Sequence, residues 1–105
     1  MTDKIVMLSA CASADEAGRI ARGLVEARAA ACVNIVPQVR SVYRWKGSIE
    51  EASEWLLVIK TSRALFERAS ALLRHLHSYE VPEVVVLPIV AGSAEYLEWI
   101  DRETG

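Results

Sequence analysis

The sequence predicts a mixed α+β sandwich, a four-stranded antiparallel sheet with helices packed on it, and three observations carry that prediction. Apolar runs of strand length alternate with amphipathic helical stretches in the order β-α-β-β-α-β-α. The two middle strands meet at a turn short enough to make a hairpin, and the 105 residues contain no repeat, linker or low-complexity stretch. Two right-handed β-α-β crossovers around a hairpin close into a ferredoxin-like β-α-β-β-α-β sandwich with two helices on one face, in which the hairpin of the second and third strands is long and a C-terminal helix is added.

Ile5 to Ala10 is a short, continuously apolar strand. With Lys4 before it and Ala12-Ser13-Ala14 after it, this segment imitates a secretory signal, and Leu8-Ser9-Ala10-Cys11 imitates a lipoprotein box. The apolar run is too short and Asp3 stands where such signals are basic, so it is read as a strand of a cytoplasmic protein. Ser13 and Glu16 form a capping box that starts a helix. Ala17, Ile20, Ala21, Leu24 and Val25 share its apolar stripe. Ala31 to Trp45 is a long β-branched and aromatic strand in which Pro37 removes a backbone donor and requires a bulge or an edge.

Gly47-Ser48 is the expected hairpin loop, which sets Arg44 opposite Glu51 and Tyr43 opposite Ala52. The return strand, Ile49 to Thr61, begins acidic and becomes apolar at Trp55-Leu56-Leu57-Val58-Ile59. Ser62 is placed to cap a second helix with Leu65, Phe66, Ala69, Leu72, Leu73 and Leu76 on its stripe, ending near His77. Val84 to Val90 is the fourth strand, interrupted by Pro88, and Gly92-Ser93 opens a terminal helix carrying Tyr96, Leu97, Trp99 and Ile100.

Composition narrows the function. The 12 basic and 14 acidic residues leave a net charge of −2, without the basic face that duplex DNA requires. Two cysteines, Cys11 and Cys32, are too few for a disulfide scaffold and suit a reducing compartment. No stretch approaches the length that spans a bilayer. Hydrophobic residues reach 52%, and Ile5-Val6-Met7-Leu8, Leu56-Leu57-Val58-Ile59 and Val84-Val85-Val86-Leu87 place hydrocarbon on both faces of three strands. Helices cover one face; the other would expose on the order of 700 Å² of apolar surface, a gross driving force of roughly 17 kcal/mol for covering it. A short terminal helix hides only part of that area, so self-association is expected.

The chemistry-bearing motifs are mostly absent. There is no paired Cys-x-x-Cys after the first strand, no aromatic stacking platform on the third, no arginine cradle in the first loop, and no triad, Walker or dinucleotide pattern. The chain is therefore read as a binding protein rather than an enzyme. Polar residues do gather at strand ends: Cys32 and Asn34, Lys60 and Thr61, and His77-Ser78-Tyr79-Glu80. Cys32, His77 and Glu80 offer a thiolate, an imidazole and a carboxylate, a donor set for copper or zinc. The plainer reading makes Cys32 a small buried hydrophobe, His77 a helix-terminal residue and Glu80 a solvated charge. Tyr43, Trp45, Trp55 and Trp99 could line a ligand cleft or a subunit contact.

Five segments together resemble the CutA divalent-cation-tolerance family over the whole chain: Ala30-Ala31-Cys32-Val33-Asn34-Ile35, Tyr43-Arg44-Trp45-Lys46-Gly47-Ser48-Ile49-Glu50, Lys60-Thr61-Ser62, His77-Ser78-Tyr79-Glu80-Val81-Pro82-Glu83 and Tyr96-Leu97-Glu98-Trp99-Ile100. The resemblance implies a tight homotrimer of ferredoxin-like protomers whose long hairpins pair between subunits. It also implies a link to copper tolerance and the response to metal ions, with Cys32, His77 and Glu80 at metal- or ligand-contact positions. Ser78 departs from the family's usual proline and loosens the loop that carries His77 and Glu80. The alternative is a PII-like regulatory module that senses a small anion through Lys60, Tyr43 and Trp45 and signals to a partner protein.

Overall fold

The computed structural model describes residues 2–105. The central strand β1 (Lys4–Cys11) lies between β3 (Ser48–Ser62) and β4 (Val85–Pro88), and β2 (Cys32–Trp45) flanks β3 on the outside. The order is β2-β3-β1-β4 and each neighbouring pair is antiparallel. The helices are α1 (Ala14–Glu26), α2 (Phe66–Leu76) and α3 (Ala94–Thr104). This is the expected α+β layer, with the apolar opening segment as its central strand.

Alternation along the strands divides the apolar residues between two faces. Ile5, Met7, Leu57 and Ile59 point toward α1 and α2, where they join Ile20, Leu24, Ala69 and Leu73 in a core that is closed to solvent. Gly23 allows the two helices to approach: a Cβ there would stand 2.9 Å from Leu76 Cδ1. Val6, Leu8, Leu56 and Val58 point the other way and are only partly covered, while Val36, Val85 and Leu87 on the same face are exposed. The helix α3 covers one end of this second face. It is anchored by the buried Lys4 ammonium on Asp101 (2.9 Å), by Ile100, and by the Arg28 guanidinium, which donates to the Arg102 and Gly105 carbonyls at its C-terminal end.

Three local expectations change. The hairpin loop is Lys46-Gly47, one residue earlier than expected, and both residues have positive φ (49° and 85°), the conformation of a type I′ turn whose twist suits the hairpin. Partners therefore move two positions along β3 and keep their faces: Tyr43 lies opposite Glu50 and Arg44 opposite Ile49, while Glu51 pairs diagonally with Arg40 at 2.7 Å. Ser62 makes no side-chain cap; a 3-10 turn at Arg63–Leu65 leads into α2 instead. The fourth strand ladder is confined to Val85–Pro88, an edge position that tolerates the proline. The bulge implied by Pro37 is present between Val36 and Val39, with Gln38 at φ 55°.

Candidate functional site

Beyond the bulge, alternation places Tyr43 and Trp45 on the same face of the hairpin as Glu54. The end of β1 at Ala10 and the loop that follows α2 close around them, forming a cavity of about 400 Å³. Its walls are Tyr43, Trp45 and Tyr79 on the aromatic side and Glu54, Glu80 and Glu83 on the acidic side. Lys46 stands at the rim, with its ammonium 5.6 Å from the centre of the Trp45 ring and 3.9 Å from Glu80 Oε2.

The loop is held from beneath by His77. Its side chain is fully buried, Nε2 is 2.8 Å from the Ala10 carbonyl and Nδ1 accepts the Tyr79 amide proton at 3.1 Å. The neutral tautomer protonated at Nε2 satisfies both bonds. Glu16 supports the same loop: its Oε2 accepts from the Ser78 amide at 2.6 Å and lies 3.5 Å from His77 Nδ1, while Oε1 reaches the Ala12 amide at 3.4 Å. The capping-box carboxylate thus serves a segment far away in sequence as well as its own helix, whose amide at Glu16 donates to Ser13 Oγ. Burial opposes ionisation of Glu16, but hydrogen bonds from the Ser78 hydroxyl and amide and from the Ala12 amide outweigh it and hold the carboxyl below its ordinary range.

Tyr79 passes this order into the cavity. Its hydroxyl donates to Glu54 Oε2 at 2.6 Å, and burial followed by the Glu54 charge pushes its pKa up, so it remains a donor. Glu54 itself is 7% exposed, a carboxylate on the cavity floor rather than a solvated surface charge.

Of the six residues singled out in the sequence, the structure brings Tyr43, Trp45 and Glu80 to the cavity, with His77 behind it. Cys32 and Lys60 do not join them. They are cross-strand partners four positions along β3 from Leu56, the partner of Ala10, which separates them from the cavity by about 13 Å at strand spacing. There the Lys60 ammonium and the Cys32 thiol both donate to Asn34 Oδ1, and the Tyr96 hydroxyl, pushed up in pKa by burial and by Cys32, lies beside them. Within one chain, Cys32, His77 and Glu80 therefore form no common donor set, and among the described residues no three His, Cys, Asp or Glu side chains group to hold a metal. Cys11 lies in the closed core, where burial raises its thiol pKa to about 12, and neither cysteine is in a disulfide. Trp55 packs on that core, and Trp99 stacks beside Tyr96 on α3.

Glu54, Glu83 and Glu16 are not among the candidate site residues that the sequence offers, and Tyr79 enters there only as a member of the polar group His77-Ser78-Tyr79-Glu80. Glu54 had a signal, since it ends the acidic start of β3 and shares strand parity with Glu50, opposite Tyr43. The role of Glu16 carried none, because it depends on a tertiary contact.

The whole arrangement has close counterparts. The sequence profile described as CutA1 divalent ion tolerance protein matches residues 5–103. A Thermus thermophilus protein described as divalent-cation tolerance protein CutA is 47% identical over 100 residues, 95% of this chain and 97% of that protein. The human protein CutA is 47% identical over 94 residues, 90% of this chain and 52% of that longer protein. The crystal structure of CutA from Xylella fastidiosa superposes with a TM-score of 0.97 at 38% identity, covering 99% of this chain and 100% of that one. No helix among the described residues is long and apolar enough to cross a membrane. The chain belongs to the CutA1 divalent ion tolerance family.

Proposed function

We propose that this protein acts in divalent-cation tolerance as a homotrimer that takes up a divalent cation, copper among the candidates, in the cleft at the base of the hairpin. The single observation that carries the reading is Glu54, a buried carboxylate in a cavity whose walls add Glu80 and Glu83; these three do not group as a ligand set within one chain, so they supply an attracting negative field and the remaining donors come from a second subunit. Glu80 is a direct cation contact in this reading, and His77 is a positioning residue whose ring is occupied by Ala10 and Tyr79. Cys32 is too far from the cleft of its own chain and would reach a cation only from another subunit. The partly covered second face supports association, since α3 covers only one end of it and Val36, Val85 and Leu87 stay exposed. Work in the cytoplasm fits two unpaired thiols.

The same cleft electrostatics disfavour the anion-sensing alternative, because three carboxylates line it and Lys60 is elsewhere. Calorimetric titration of the tag-free protein with Cu²⁺ and with Mn²⁺ tests the reading. Glu80→Gln is expected to weaken binding about tenfold while Cys32→Ser changes it little. Unchanged affinity in Glu80→Gln would remove the cleft as the cation site.

A further inference from the structure

The cleft is larger and more aromatic than a metal ion needs. A hard divalent ion such as Mg²⁺ or Ca²⁺ is surrounded by six to eight oxygens at roughly 2.0–2.6 Å, and a zinc or copper ion needs fewer donors still, whereas a volume of about 400 Å³ is that of a small-molecule pocket. Its two walls differ in chemistry. Tyr43 and Trp45 present ring faces, which attract a cation by their quadrupole, and Glu54, Glu80 and Glu83 supply negative charge. Metal coordination uses the second wall and leaves the first without a purpose; an organic ammonium ion uses both.

The chain displays this recognition with a group of its own. The Lys46 ammonium stands over the Trp45 ring and beside Glu80, within cation–π range of one and ion-pair range of the other. Lys46 is 72% exposed and belongs to the turn, so it stays at the rim and does not reach Glu54, whose partner is the Tyr79 hydroxyl. A primary ammonium between an indole face and a carboxylate is thus the arrangement that the cleft already accommodates at its mouth. The geometry points to a linear alkyl diammonium ion as a ligand of this cleft, one ammonium on Trp45 and Glu80 in the place held by Lys46 and the other on Glu54. This inference rests on the proposal that the cleft is the cation site, and it assigns the chemical class of the cation. An ion with two positive charges on an apolar spacer meets two of the lining carboxylates and the aromatic rings at once; a monoammonium ion or a neutral diol meets only part of that lining.

Calorimetric titration of the full chain with 1,4-diaminobutane, 1-aminobutane, 1,4-butanediol and Mn²⁺ tests it, on variants whose light-scattering mass equals that of the unmodified protein. The expected result is saturable binding of the diamine at one site per chain, weaker binding of the monoamine and none of the diol. Trp45→Leu is expected to weaken the diamine about fivefold, the size of an exposed cation–π contact, with Mn²⁺ unaffected. Glu80→Gln should weaken both, and Lys46→Asn, which clears the rim, should tighten the diamine several-fold. Diamine affinity unchanged in Trp45→Leu would overturn the inference, leaving only charge attraction. Saturable Mn²⁺ binding with no diamine binding would overturn it while the metal reading stands, and absence of both would remove the cleft as a cation site altogether.

Discussion

The two faces of the sheet are made from alternate residues of the same strands, yet one is closed within the chain and the other is not. Ile5, Met7, Leu57 and Ile59 meet α1 and α2 and are lost to solvent; their neighbours Val6, Leu8, Leu56 and Val58 are only half-buried, and Val85 and Leu87 remain exposed. The chemistry of the two sets is the same, so the difference lies in what covers them. A single small domain reaches its stability with one sealed face, and a second apolar layer is retained only where another molecule completes it.

The largest expected effect separates those two uses. Leu87 is 48% exposed, so in a lone chain Leu87→Asp costs within about 0.5 kcal/mol, whereas in an assembly that covers this face an unpaired buried carboxylate costs on the order of 3–5 kcal/mol per subunit. Light scattering should fall toward the 11.6 kDa of one chain while the circular dichroism spectrum is kept. An unchanged assembly mass would show that the open face is not the contact. The matching change on the closed face is Leu73→Ala, which removes a fully buried side chain between α2 and the sheet. It should lower the urea unfolding free energy by about 3 kcal/mol and leave the mass alone. A loss under about 1 kcal/mol would mean that this face is not where the fold's stability resides.

Glu16 tests the join between the closed face and the cleft. Replacing it with Gln removes the charge that accepts from Ser78 and lies beside His77, an expected loss of about 2 kcal/mol. Its folded pKa is depressed, so its contribution is fully present above the unfolded glutamate value of about 4.3 and disappears as pH falls through the lower folded value. Urea midpoints measured down the acid range should therefore fall less steeply in Glu16→Gln than in the unmodified protein. Parallel acid profiles would assign the acid sensitivity to other carboxylates.

The sequence made the layers legible because burial periodicity and capping are local. The Ser13 cap on the Glu16 amide and the bulge after Pro37 occur where backbone chemistry required them, while the Glu16 carboxylate returns its bond to the Ala12 amide instead of that of Ser13. The two-sided grease of the strands likewise announced an unfinished face. What could not be read depends on groups distant in sequence. Glu16 meets Ser78 across 62 positions, and Tyr79 meets Glu54 across 25. His77 reads as an ordinary helix-terminal residue until the end of β1 is brought beneath it. Sequence alone does not say which strand ends lie together, so Cys32 and Lys60 read as neighbours of His77 and Glu80; the β3 register puts them at a different end of the sheet from Ala10.

The smallest expected effect concerns the hairpin arm, where the turn rather than burial sets the register. Lys46 lies at φ 49°, a conformation that costs a side chain with a Cβ about 1 kcal/mol and that asparagine tolerates better through local hydrogen bonding. Lys46→Asn should therefore stabilise the hairpin by about 0.5 kcal/mol, and Gly47→Ala, at φ 85°, should destabilise it by about 1 kcal/mol. Because Val42 and Ile49 near the tip are 65% and 68% exposed, little packing opposes either change. The effect should therefore appear in amide exchange of Tyr43 to Glu50 and leave the exchange of Met7 and Ile59 unaltered. Equal shifts at both places would mean that the arm and the closed core unfold as one unit, so that the hairpin is held by the rest of the fold rather than by its own turn.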